Sequence, residues 1–271
     1  MSSWRSASSN PPGANAPVEA TTLIAGLLQG LLEWLPVSSS GQLLLYYTSL
    51  LGLPLREALQ EAYAAHLGTA ASAAIIAWHG VVRVFRERRM FRAVLVPTVS
   101  AAPLGLAIIK LLSAEASMDV LNAVLGIALL ATGALLHVAG GGRGEGARSF
   151  QQLGVGELVA VGLAEGAAAL PGLSRSGTVL AVLLLLRVKP AEAVEATLIL
   201  GIPVTLAASL YAGSSIPASD AAVLAAASLL SGLLSAKIML ELAARFERDI
   251  PKLLAVLGAL ILLLTLPPLI G

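Results

Sequence analysis

Two apolar segments of this chain, 136 residues apart, are interrupted by the same short polar passage. The first reads Gly26-Leu-Leu-Gln29-Gly30, then Glu33, Pro36 and Ser38-Ser39-Ser40-Gly41. The second reads Gly162-Leu-Ala-Glu165-Gly166, then Pro171 and Ser174-Arg175-Ser176-Gly177. Both run fifteen positions from first glycine to last. The pieces on either side of each break are short for a bilayer crossing, which takes about 20 apolar residues. Broken segments at matching places in two halves point to an internal repeat whose breaks meet near the membrane midplane.

The membrane itself follows from composition: 57% hydrophobic and 12% charged residues, with a mean hydropathy of +0.86, lie far from a soluble domain. Six runs are long enough to cross, 61–82, 92–112 and 118–139 in the first half and 191–212, 218–240 and 251–269 in the second. The repeat segments 18–52 and 154–188 read as re-entrant helix pairs. The expected fold is an all-α polytopic membrane protein with an inverted-topology repeat, each half one re-entrant helix pair plus three transmembrane helices. Those halves are 18–139 and 154–271, joined by a cytoplasmic linker, 140–153. Residues 1–17 are polar, lack the pattern of a signal peptide and read as a disordered tail.

Inversion follows from the count, because a re-entrant pair returns to its own side and three spans do not. The distribution of Lys and Arg is an independent test, since cytoplasmic loops collect them. Loops 83–92, 140–153, 187–190 and 243–252 hold twelve, five of them in the first (Arg83, Arg86, Arg88, Arg89, Arg92). The opposite face holds Arg5, Arg56 and Lys110. Both termini are thereby expected outside. A net charge of +1 gives no reason to expect a nucleic-acid partner.

Glu33, Glu165 and Arg175 would each cost about 2.5–3.5 kcal/mol at the centre of a membrane helix, so they must face a cavity, one another or a ligand. Gln29 and Glu33 are one turn apart and share a helix face. The glycine pairs Gly26/Gly30 and Gly162/Gly166 would let the helices of the two copies pack closely. The serine and glycine turns offer hydroxyls and backbone N–H groups at helix N-termini, and Arg175 a planar fork, an arrangement suited to an anion. With no cysteine and with His66, His79 and His137 scattered, any metal would be held by oxygen. The blander roles are close packing for the serines and glycines, helix-dipole pairing for Glu192, snorkelling for Lys237 and interfacial placement for the histidines, with lining of the outer mouth as the alternative for His66.

Gln29-Gly-Leu-Leu-Glu33-Trp-Leu-Pro-Val-Ser-Ser-Ser-Gly41 and Pro171-Gly-Leu-Ser-Arg-Ser-Gly177 resemble the two signature regions of the undecaprenyl-diphosphate phosphatases, the bacitracin-resistance membrane phosphatases. The resemblance continues through His66-Leu-Gly-Thr69, Glu195-Ala-Thr-Leu-Ile-Leu-Gly-Ile-Pro203 and Ala236-Lys-Ile. It implies hydrolysis of a polyprenyl diphosphate to the monophosphate and inorganic phosphate, recycling a lipid carrier for cell-envelope glycan synthesis, at a plasma-membrane site open to the outside. It further implies Ser39 as nucleophile or water-orienting hydroxyl, Arg175 as the charge neutralising the transferred phosphoryl group, and Glu33 as base or metal ligand. Glu33 and Glu165 would hold a divalent cation, Mg2+ or Ca2+. Gln29, Ser38, Ser40, Gln42, Glu165, Ser174, Ser176 and Thr178 would complete the substrate-binding set. The partners implied are the lipid substrate and membrane lipids, and a homodimer is compatible with this.

Three departures stand against the family pattern. Gln29 and Glu165 exchange the usual glutamate and glutamine between the two signatures. Gln42 occupies the position of a histidine, and a glutamine cannot act as a base at neutral pH. Thr178 lies one residue earlier than the family's threonine. The rival expectation is a carrier for polyprenyl phosphate or another small anion, built on the same inverted repeat.

Overall fold

The computed structural model describes residues 18–112, 148–212 and 218–242, with 124, 127, 128, 130–135 and 138 between the first two stretches. The first break falls where proline and serine interrupt the apolar run. Helix α1 (Val18–Glu33) ends at the glutamate, and α2 (Ser39–Leu45) restarts beyond it and passes into a π-helical turn, Tyr46–Leu50. Ser38 makes the junction with φ of 54°, a left-handed conformation rarely adopted by residues other than glycine.

Helices α3 (Leu55–Ala64), α4 (His66–Ile76) and α5 (Trp78–Arg86) follow. The continuous span expected over 61–82 is therefore corrected, because the chain bends by 81° between Ile76 and Trp78. Its cause lies in α5, which packs Val81 and Val84 against the core while Arg83 and Arg86 stay exposed. A helix with one apolar and one cationic face lies along an interface more favourably than across a membrane.

Helix α6 (Arg88–Leu112) is long and apolar enough to cross, as are α9 (Pro190–Ala212) and α10 (Ala218–Leu242). Between them, α7 (Val155–Ala167) and α8 (Arg175–Leu185) form the second broken segment. With the bent pair included, up to four such crossings occur among the described residues. The regular elements there are helical, apart from a lone parallel bridge between Arg148 and Val188. The expected span 118–139 is described only in part. The expected span 251–269, the tail 1–17 and linker residues 140–147 lie outside the described residues.

Large apolar side chains lie on the surface, and polar groups lie among the buried ones. Leu95, Val99, Leu106 and Leu111 of α6 and Leu230 and Leu234 of α10 point outward, while among the described residues Gln29, Glu33, His66, Glu165 and twelve serines and threonines are buried. This inversion is stable only if the outer surface meets lipid.

The glycine pairs do not pack on each other, which corrects the expectation from sequence. Gly26 and Gly30 of α1 seat against α10, where an added Cβ at Gly26 would lie 2.8 Å from the Leu224 carbonyl oxygen. Ser235 donates to the Gly30 carbonyl at 2.6 Å. Gly162 and Gly166 of α7 seat instead against Pro97, Ser100 and Ala101 of α6. Each copy thus packs on a long helix of the opposite half of the chain.

Three of the four basic loops converge at one end of the molecule. Gln151 Nε2 donates to Glu87 at 2.9 Å, Arg92 to the Leu153 carbonyl at 3.4 Å, and the Arg148 amide to the Arg187 carbonyl at 2.7 Å. The fourth loop, 243–252, lies outside the described residues.

Candidate active site

The breaks of the two repeated segments touch, and polar groups tie them together in both directions. Ser38 Oγ of the first break accepts from the Gly172 amide at 3.1 Å. Ser176 of the second donates to the Leu35 carbonyl at 2.9 Å. Pro36 lies over Gly177, where a Cβ would come within 2.9 Å of it. Ser174 caps α8, its Oγ accepting from the Gly177 amide at 3.2 Å, and its own amide donates to Thr132 Oγ1 at 3.3 Å.

This junction brings Glu33 and Arg175 together from 142 positions apart, with Arg175 Nη2 donating to Glu33 Oε1 at 2.7 Å. The other oxygen, Oε2, accepts from Ser39 Oγ at 2.6 Å and from Gln29 Nε2 at 2.8 Å. His66 Nε2 stands 3.5 Å from that same Oε2. The expected helix-face pairing of Gln29 with Glu33 is thus present as a hydrogen bond. A buried carboxylate with one cation and two hydrogen-bond donors meets the condition under which charge persists in a low dielectric.

Arg175 is held on several sides. Its guanidinium carbon lies 5.0 Å from the ring centre of the fully buried Trp34, and Nη1 reaches the Thr197 carbonyl at 3.4 Å. Trp34 is fixed in turn by donation from Nε1 to Ser72 Oγ at 3.0 Å. Gly201 on α9 leaves the room the guanidinium occupies, since a Cβ there would overlap Nη1 and sit 2.7 Å from Nη2. The second carboxylate, Glu165, is buried with Oε1 4.0 Å from Arg175 Nη1, and neither of its oxygens has a hydrogen-bond partner.

A cavity of about 240 Å³ opens onto this cluster. Glu33, Ser38, Ser39, Ser40, His66, Glu165, Ser174 and Arg175 form its polar wall. The rest of its lining is largely apolar, including Ala101, Ala102, Gly105 and Leu106 of α6 with Ala207 and Ala208 of α9. An anionic head with an apolar tail matches that division.

Several expected site residues do not line the cavity. Gln29 acts through Glu33, and Ser176 is committed to joining the two breaks. Gln42 is half-buried and Thr178 is buried with Oγ1 unpartnered, and neither lines the cavity. In turn, the structure places in or behind the site four residues to which the sequence assigned no part at its centre: His66, Trp34, Gly201 and Ser72. Trp34, His66 and Gly201 lie inside the stretches that carried the family resemblance, which was the available signal.

As for a divalent cation, no three His, Asp or Glu side chains converge at ligating range among the described residues. The oxygens that the expectation needed at Glu33 are engaged by Arg175, Gln29 and Ser39. Glu165 lines the cavity, and among the described residues its two oxygens accept no hydrogen bond.

Residues 22–251 match the family of bacitracin resistance protein BacA. Curated relatives with the name undecaprenyl-diphosphatase include one from Methanopyrus kandleri, 32% identical over 91% of this chain and 96% of its own. Another, from Methanothrix thermoacetophila, is 32% identical over 84% and 89%. A third, from Pyrobaculum aerophilum, is 33% identical over 81% and 88%.

Proposed function

Because the chain belongs to the bacitracin resistance protein BacA family, we propose that it is an integral-membrane phosphatase. It hydrolyses a polyprenyl diphosphate to the monophosphate and inorganic phosphate, which returns a lipid carrier to cell-envelope glycan synthesis. The observation that carries this is the convergence of Ser39, Glu33 and Arg175 from two distant segments on one cavity whose remaining lining is largely apolar.

In this proposal the diphosphate sits against Ser38, Ser39, Ser40, Ser174 and Arg175, and the first isoprene units run between α6 and α9. Arg175 stabilises charge that builds on the transferred phosphoryl oxygens. Ser39 attacks phosphorus or holds the attacking water. Glu33 orients both, holding the hydroxyl at 2.6 Å and the guanidinium at 2.7 Å. A divalent cation would be held by Glu165 together with oxygens of the substrate, the sparse protein coordination usual for Mg2+ beside phosphates. Bound there, it would neutralise phosphate charge.

The proposed topology is the inverted repeat with two re-entrant pairs. Its support is the reciprocal packing of α1 on α10 and α7 on α6, and the crossed serine bonds between the breaks. The cavity is lined by Thr98 to Ile109 of α6 and Pro203 to Ala208 of α9. Both stretches lie toward the helix ends remote from the basic loops, so by the positive-inside rule the site opens outward.

The test is phosphate release from undecaprenyl diphosphate by purified protein in detergent, with Mg2+, with Ca2+ and with chelator. Metal-dependent release is expected. No release by folded protein under any of these conditions would overturn the proposal and favour a carrier.

A further inference from the structure

The groups around Glu33 leave one side chain without a part in the chemistry just proposed. His66 opens α4, is 7% exposed and lines the same cavity as Ser39 and Glu33. Its Nδ1 lies 2.9 Å from the Ala62 carbonyl oxygen, which can only accept, so Nδ1 carries the hydrogen. In the neutral ring Nε2 then presents a lone pair to the cavity, 3.5 Å from Glu33 Oε2. That oxygen already accepts from Ser39 and Gln29 and has no hydrogen to offer. Two acceptors therefore face each other across a gap that a shared proton would close.

Resting on the phosphatase reading, we propose that His66 is a further catalytic residue, the acceptor of the proton released by the attacking oxygen. Glu33 is poorly placed for that task. Protonating it would take from Arg175 its closer carboxylate and leave it only Glu165, 4.0 Å away, in a low dielectric, which is unfavourable. Protonating His66 creates a cation beside the Glu33 carboxylate, so the charge is compensated as it forms.

The attacking oxygen, from Ser39 or from a water it holds, forms a bond to the terminal phosphorus. The bond from phosphorus to the bridging oxygen breaks, and its electron pair leaves on the polyprenyl monophosphate. The attacker's proton passes to Nε2 and is then given to the departing oxygen, which returns the ring to neutrality. If Ser39 attacks, water hydrolyses the phosphoserine by the same proton route. A base at His66 also answers the absence of a titrating group at Gln42.

The experiment measures phosphate release by wild type, His66→Gln and His66→Gly in detergent, with thermal unfolding of each. Glutamine keeps a side-chain donor for Ala62, and the glycine variant leaves space in the cavity for added imidazole. The expected result is a loss in kcat of about 10²-fold or more in both variants, with KM changed little. Imidazole should restore turnover to His66→Gly, and pyrrole, which has no basic nitrogen, should not. Activity in His66→Gln within threefold of wild type would overturn the proposal. So would a loss in folded His66→Gly that imidazole leaves unrepaired, which would make His66 a support for α3 and α4. Failure of wild type itself to release phosphate would count against the phosphatase reading instead.

Discussion

At the scale of single residues, the site was legible where a side chain is expensive in a membrane. Glu33, Glu165 and Arg175 stand out of apolar sequence because an isolated charge there cannot be tolerated. His66 did not stand out, since a neutral histidine near the end of an apolar run reads the same whether it faces headgroups or a cavity. Gly201 stood in a stretch of family resemblance but gave no sign of its role, which is the volume it leaves for Arg175. That volume gives a prediction. Gly201→Ala adds one methyl at a helical position where the backbone accepts alanine, so the protein should fold normally. The guanidinium must move from Glu33, and a displacement of about 1 Å in a positioning group costs on the order of 10²-fold in turnover. Phosphate release and a melting curve measured together check it; unchanged turnover would mean that Arg175 has slack in its seat.

At the scale of elements, helix existence was read well and helix continuity less so. The long apolar runs became α6, α9 and α10 because apolar length alone decides a crossing. The bend at Ala77 carries no proline or glycine signal at that position, and arises from the two-faced pattern of α5. The glycine pairs announced close packing but not the partner, since a small-residue stripe fits any helix that comes near. Gly162→Ala would press its methyl onto Ser100 and to 2.7 Å from Pro97 Cα. Overpacking of this kind costs roughly 1–3 kcal/mol, so the variant should melt lower in detergent than wild type, while an unchanged melting temperature would show that α6 and α7 can separate freely.

The start of α7 offers a pH-dependent term. Arg148 donates to Glu157 through Nη1 at 2.7 Å and Nη2 at 2.8 Å, and the Gly154 amide adds a third bond at 2.7 Å. The guanidinium first, then the amide, hold the Glu157 carboxyl below the usual carboxylate range. A depressed carboxylate stabilises the fold above its unfolded pKa of about 4.3, and that contribution is lost as pH falls through the lower folded value. Thermal stability should therefore drop more between pH 5 and pH 3 in wild type than in Glu157→Gln. The difference is small, because the pair is about one-third exposed and screened by solvent and salt. Equal acid sensitivity of the two proteins would remove the pair from the stability balance.

At the scale of the whole molecule, the distribution of arginines grouped distant loops on one side of the membrane. Segments 83–92, 140–153 and 187–190 were grouped by charge alone, and their described parts meet through Glu87–Gln151, Arg92–Leu153 and Arg148–Arg187. The side of the membrane on which they lie is open to direct measurement, because the chain has no native cysteine. Arg89→Cys should be shielded from a membrane-impermeant thiol reagent in intact cells, and Arg56→Cys should react. The reverse pattern would turn the cavity toward the cytoplasm.

What joins the three scales is the claim that two broken segments from opposite halves form one catalytic unit. A double-mutant cycle tests it most directly, with phosphate release from undecaprenyl diphosphate measured for wild type, Glu33→Gln, Arg175→Ala and the double variant, all verified as folded. Each single change should lower turnover by about a hundredfold or more. The double variant should be no worse than the poorer single, because groups that act as a unit are lost together. Losses that multiply, or a single variant with near-normal turnover, would contradict a shared site.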